Sequence, residues 1–163
     1  MCSQEWEEQR VQYLRTVFDT VPLPAFVVDA DVCIRDFNTA AEVFLGADAE
    51  LALHRRGGEV FHCIHAEENG CGKGVRCKDC VIRNAVTKAM SGESTCREIH
   101  RAELRTPKGN TQIDLLITAS LLPYTPSPRA LLLLENLTLL GELYRNQKKA
   151  ASRKRKSARK APA

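Results

Sequence analysis

The sequence predicts an α+β domain built on one antiparallel sheet. Three observations carry that expectation. Apolar periodicity switches between helical and strand-like along the chain, strand patterns stand towards both ends of the folded part, and the residues between them are helical or glycine-rich. The order read off is helix, two short strands, short helices, a longer helix, three strands and an exit helix.

Each element has a local reason. Ser3–Val21 is an amphipathic helix in which Val11, Leu14, Phe18 and Val21 recur at three- and four-residue spacing, with Tyr13 and Val17 alongside; Pro22 and Pro24 stop it. One apolar face is expected to pack on the domain and another to be left available. "AFVVDADVCIRDFN" gives strands at Ala25–Asp29 and Val32–Phe37 around an Asp-Ala-Asp turn. Asn38 or Thr39 caps the short helix "TAAEVFL", which Gly46 ends. From about Ala47 to Asp79 the chain is glycine-rich and weakly periodic, so loop and short helix are expected. In "VIRNAVTKAM", Val81, Ile82, Ala85, Val86, Ala89 and Met90 form one apolar face before Gly92. "TCREIHRAEL", "TQIDLLITASLL" and "RALLLLENL" are strand-like runs separated by the turns "TPKGN" and "YTPSP". "TLLGELYRNQ" is helical, with Leu137, Leu140 and Tyr144 at heptad-like spacing too short for a coiled coil. The chain thus divides into an N-terminal helix (1–21), a domain (22–137) containing a cysteine-rich segment (60–83), an exit helix (138–147) and a basic tail (148–163).

Composition bounds the function classes. The 163 residues are 44% hydrophobic and 27% charged, enough for one core and a soluble surface. No apolar run reaches the length of a membrane span; "ALLLLENLTLL" is interrupted by Glu135 and Asn136. The acidic start "MCSQEWEEQR" lacks the basic-then-apolar order of a secretory signal, so a cytoplasmic location with reduced thiols is expected, and the odd cysteine count agrees. The net charge of +4 conceals two parts. Residues 148–163 carry eight basic groups and no acid; removing those eight from 24 Lys+Arg leaves 16 against 20 Asp+Glu, a net of −4 for residues 1–147. The tail is expected to be a disordered solubilising segment; by charge alone it can also hold the phosphates of nucleic acid or acidic lipids, without aromatic residues to stack on bases. No helix-turn-helix pattern and no G-x-S-x-G, P-loop, kinase or H-E-x-x-H signature is present, so an enzyme is not expected.

The element order, together with three stretches, resembles the PAS domain family of sensor modules. "LPAFVVDADVCIRDFNTAAEVFLG" is similar to the family's opening strand pair and the helix after it, "ELRTPKGNTQIDLLITASLL" to its central hairpin, and "ALLLLENLT" to its last strand with an acidic-x-Leu/Ile-Thr ending. The likeness spans roughly residues 10 to 140. It implies a five-stranded antiparallel sheet with helices on one face cradling a ligand or cofactor, and flanking helices that relay a signal and often form a homodimer. Fold alone names no ligand. The chain resembles, in particular, a subset with a Cys-rich middle of the form G-x-x-F-x-C…G-C-G…C-x-x-C.

That middle, "VFHCIHAEENGCGKGVRCKDCVIR", holds Cys63, Cys71, Cys77 and Cys80. Four thiolates complete the ligand set of a tetrahedral zinc or of a [2Fe–2S] or [4Fe–4S] cluster. Structural zinc sites are usually built from two short knuckles with two to four residues between the cysteines, whereas this chain has one knuckle and two single cysteines on a looser loop, which favours an iron–sulfur cluster with zinc as the alternative. Gly70, Gly72 and Gly74 permit a close backbone curl that can aim amides at sulfur, and Lys73, Arg76 and Lys78 offset negative charge. The helix after Cys80 presents its N-terminal dipole to that sulfur. His62 and His65 are possible additional donors, His65 the better placed; as surface or supporting residues they would need no metal. Cys33 and Cys96 read as small core residues in strands. The remaining reading is a metal-free dithiol switch at Cys77-Lys-Asp-Cys80, which leaves Cys63 and Cys71 without a role.

These observations lead to the expectation of a stand-alone sensory module, reporting redox state or oxygen through the four-cysteine site to a kinase or transcription regulator in trans. The alternatives are a nucleic-acid-associated protein acting through its tail, and a zinc-stapled interaction domain.

Overall fold

A computed structural model of the chain describes residues 2–67, 69–93, 96–123 and 125–146. The expectations for the basic tail, for Gln147 and for the side chain of Cys96 fall outside the described residues. The elements are α1 (Cys2–Thr20), β1 (Ala25–Val28), β2 (Ile34–Phe37), α2 (Thr39–Leu45), the single turn α3 (Gly57–Val60), α4 (Val81–Met90), β3 (Cys96–Thr106), β4 (Gly109–Leu122), β5 (Arg129–Asn136) and α5 (137–146). Between α2 and α4 run 3₁₀ turns at Gly46–Leu51, Ile64–Ala66 and Val75–Asp79. The five strands make one antiparallel sheet in the order β2-β1-β5-β4-β3.

The core lies between the sheet and the helices. Strand alternation buries Leu115, Ile117 and Ala119 of β4 and Ala130, Leu132 and Leu134 of β5 on one face. Ala85, Val86 and Ala89 of α4 close over them, with Val81, Ile82 and Met90 at the margin. The hairpin between β3 and β4 is tighter than the sequence suggests. Pairing continues to Thr106↔Gly109, leaving only Pro107 and Lys108 in the turn, with Gly109 at φ +113° and the Thr106 hydroxyl donating to its carbonyl at 2.7 Å.

Asn38 joins the first elements. It is 1% exposed and stands at the N-cap of α2, where its Oδ1 accepts from Ala41 N at 2.9 Å and from Ala25 N at 3.0 Å. Its Nδ2 donates to the carbonyls of Phe18, Val21 and Leu23 at 3.0–3.2 Å. α1 therefore docks by its C-terminal end. Phe18 and Val21 are half-buried, and Arg15 reaches Asp36 Oδ1 at 2.7 Å and the Phe37 carbonyl at 2.9 Å. Val11, Tyr13, Leu14 and Val17 are exposed, so the periodicity that forms this helix does not serve the core of the chain.

Asn38→Ala removes five hydrogen bonds and strands buried partners at three segments. A loss of about 3 kcal/mol or more is expected, read as a lower urea midpoint with the slope unchanged; a loss under about 1 kcal/mol would show that α1 and β1 are held otherwise.

Candidate functional site

The cysteine segment is pinned to the domain at Phe61. Its ring meets Phe26 and Phe44 edge-to-face, at centroid distances of 5.5 and 5.8 Å. His62 follows at φ +53°, and the turn directs its side chain outward, where Nε2 lies 2.9 Å from Asp48 Oδ2. Its carbonyl accepts from Arg105 N at 2.8 Å, Cys63 bridges to Leu104, and Glu67 receives both arms of Arg105 at 2.7 and 2.6 Å. The segment is thereby attached to β3, an edge strand of the sheet.

From there the four cysteines converge. Cys63, Cys71, Cys77 and Cys80 line one cavity of about 350 Å³, together with His65, Arg76 and Arg83. The cavity's inner wall is apolar, made by residues that include Phe44, Phe61 and Leu134. Cys77 is buried and the other three are half-buried; none of the four is in a disulfide. His65, on the Ile64–Ala66 turn, faces the cavity, whereas His62 does not line it. Cys80 occupies the N-cap of α4, which places its sulfur beside that helix's first turn.

The supporting groups differ in part from those the sequence pointed to. The amides directed at sulfur are Gly58 N–H towards Cys71 and His65 N–H towards Cys63. Gly58 must be glycine for a second reason: a Cβ there would stand 2.8 Å from Cys71 Sγ. The cation against Cys71 is Arg83, on the first turn of α4; Arg76 also lines the cavity, and Lys73 is exposed. His100 of β3 lines the cavity too and was not singled out by any motif. Cys33, read as a core residue, is half-buried and bridges to Arg56.

Burial pushes the thiols of Cys63 and Cys71 above the ordinary thiol range. At Cys63 the other three sulfurs push the same way while the His65 amide opposes; at Cys71 the Gly58 amide and Arg83 oppose. Burial, then the charge of His65, holds His100 below the ordinary imidazole range. The donor set and the two amide contacts fit a thiolate-bound centre. Among the described residues, however, no group of three or more His, Cys, Asp or Glu side chains is arranged to hold a metal ion.

A five-stranded antiparallel sheet closed on one face by helices, with a cavity of about 350 Å³ between them, defines an α+β domain. Residues 12–79 match the family model described as PAS domain. The fold is that of solved PAS domains. One from an HTR-like protein of Haloarcula marismortui aligns with TM-score 0.54 at 19% identity, covering 82% of this chain and 96% of that one. The PAS domain of BvgS from Bordetella pertussis aligns at 0.54 and 13% identity, covering 86% and 98%. One from a two-component sensor histidine kinase aligns at 0.53 and 8% identity, covering 80% and 98%. The comparison with curated proteins gives no match. No described helix is long and apolar enough to cross a membrane.

The shifts above set a pH window for the metal-free, reduced protein. The raised thiols contribute stability that is complete below their ordinary value of 9.0 and lost as pH climbs through their folded range. The lowered His100 contributes stability that is present above its ordinary value of 6.5 and lost as pH falls. Melting temperature is expected to be flat between these values and to fall on both sides; a melt series that keeps rising at about pH 10 would contradict the burial of the thiols. Separately, Gly58→Ala would set a Cβ 2.8 Å from Cys71 Sγ and should destabilise the protein by about 1–3 kcal/mol, read as a lower urea midpoint with the far-UV spectrum unchanged.

Proposed function

We propose that the chain is a PAS sensory module that reports redox state or oxygen through a metal or iron–sulfur centre held by Cys63, Cys71, Cys77 and Cys80. The observation that carries this reading is the convergence of all four cysteines on one cavity, beside Arg76 and Arg83. An iron–sulfur centre, when bound, supplies one-electron chemistry and sensitivity to oxygen. The chain's own residues hold it. Four sulfurs ligate, the amides of Gly58 and His65 stabilise thiolate character at Cys71 and Cys63, and Arg83 offsets negative charge. The apolar inner wall keeps water from the buried side. His65 is an additional donor at the same cavity, and His100 a neutral neighbour across it.

Burying thiols in their neutral form is also what makes the site responsive. Without a ligand the segment has few apolar anchors beyond Phe61, so occupancy orders it and loss loosens it. The output side is the exit helix. Among the fold neighbours, the PAS domain of a two-component sensor histidine kinase supports a kinase as the class of partner, with a transcription regulator as the alternative.

The test is purification without oxygen, followed by a visible spectrum and iron, sulfide and zinc assays on one sample. A brown protein whose colour bleaches in air supports redox or oxygen sensing. A colourless protein with stoichiometric zinc reduces the site to a structural staple. Cys63→Ser with Cys80→Ser is expected to lower bound metal to background; full metal content in that double variant would end the proposal.

A further inference from the structure

We propose that Arg83 is a positioning residue that ties the Cys71 loop to the β1–β2 turn, so that engagement of the Cys71 sulfur is felt at the opposite side of the sheet from the β3 attachment. The inference deepens the reading of the cysteine cavity as the sensing site and rests on it. The geometry is that of a two-ended strap. At one end the guanidinium packs over the backbone of Gly72, next to Cys71, where its charge favours the Cys71 thiolate. At the other, Nη2 donates to the Asp31 carbonyl at 3.3 Å and Nη1 stands 3.6 Å from Asp31 Oδ1. Its path crosses Gly72, whose backbone is at φ +87°; a Cβ there would meet Nη2 at 2.5 Å, so the loop is shaped around the arginine. Only a planar, forked cation can address a sulfur and a turn together; a lysine ammonium at the same place is a point charge.

The receiving turn is suited to respond. Asp31 precedes Val32, a β-branched residue held at φ +61° and 4% exposed, whose side chain lines the same cavity. Val32 N donates to Asp29 O at 2.9 Å, and Gly57 N donates to Val32 O at 3.1 Å. Gly57 adjoins Gly58, whose amide faces Cys71. The turn and the cysteine loop are thus joined twice, through Arg83 and through Gly57–Gly58. Arg56 adds a weaker contact to Asp31 at 3.7 Å. The Cys63 end of the segment is fixed independently, at Leu104 and Arg105 of β3.

This arrangement predicts a selective effect. Asp31→Asn removes the carboxylate charge that Arg83 Nη1 faces at 3.6 Å while leaving the Asp31 carbonyl in place, so it weakens the far end of the strap without touching the cavity, and the exposure of the Asp31 side chain (64%) makes the substitution tolerable to the fold. In the full-length, reduced, metal-free protein, Cys71 should be alkylated by iodoacetamide about threefold faster or more, while Cys63 keeps its wild-type rate. Arg83→Lys, which retains the positive charge but not the fork, should reproduce the selectivity. It should also speed hydrogen–deuterium exchange at residues 29–34. A purely structural role would speed Cys63 and Cys71 together, and that result, or no change at either, overturns the proposal. Zinc uptake by the wild-type chain is measured alongside. A chain that takes up no zinc yet shows the selective effect loses the metal reading and keeps the strap; one that binds zinc without the effect keeps the site and loses the strap.

Discussion

With both ends of its amide engaged and 1% of its surface exposed, Asn38 holds the last turn of α1, the start of β1 and the first turn of α2 against one another. Only a side-chain amide offers both halves of this bonding. The three carbonyls of Phe18, Val21 and Leu23 need donors, and the amides of Ala25 and Ala41 need an acceptor, all at one point from which water is excluded. An aspartate would face three carbonyls with no proton to give. The consequences extend beyond the cap. β1 is positioned to pair with both β2 and β5, and α2 is aimed so that Phe44 reaches the ring of Phe61. Through Phe61, a cap formed at residue 38 sets where the cysteine segment begins.

Beyond Phe61 the physics changes. The segment contributes Val60, Ala66 and Cys77 to the buried set, and otherwise rests on polar attachments at its two sides. On one side are the Cys63–Leu104 bridge and the Glu67–Arg105 pair; on the other is Arg83 with Asp31. Exposed ion pairs of this kind contribute about 1 kcal/mol or less each. The sheet beneath is held by alternating Leu, Ile and Ala side chains, each large one worth about 1.5–3 kcal/mol on burial. A weakly held segment over a strongly held sheet is the form expected of a part that changes state while its support does not. Under the proposed function, ligation of the four sulfurs would supply the missing stabilisation.

The parts legible in the sequence were those set by local pattern. The strand-like run "RALLLLENL" located β5, Asn38 and Gly46 bounded α2, and cysteine spacing singled out the four residues that meet in the cavity. What stayed illegible depends on pairing across long separations. Arg83 lies on the polar side of a good amphipathic helix and reads as a solvated charge; its partner Asp31 is 52 residues away. Gly58 reads as loop punctuation in "RRGGEV", and nothing nearby shows that Cys71 will pack where its side chain would be. His100 sits in a strand whose face is decided only when β3 pairs with β4. The exposed stripe on α1 is the opposite case, a clear local period with no partner in the domain core.

The acidic-x-Leu-Thr ending of β5 acquires a physical meaning from its contacts. Asn136 accepts from Leu139 N at 3.1 Å and so caps α5, and Thr138 Oγ1 accepts from Asp114 N at 2.9 Å, fastening the helix start to β4. Asp114 in turn takes both arms of Arg101 on β3, at 2.7 and 3.1 Å. The residues that receive the cysteine segment, Leu104 and Arg105, lie on the same strand as Arg101. The segment and the exit helix are therefore attached to opposite sides of one hairpin, with continuous β3–β4 register between them. Contact continuity becomes coupling only where some element has two arrangements. Under the proposed function the cysteine segment is the element with that capacity, because its order would depend on whether the four sulfurs share a ligand, and the paired β3–β4 hairpin would carry the difference towards Thr138.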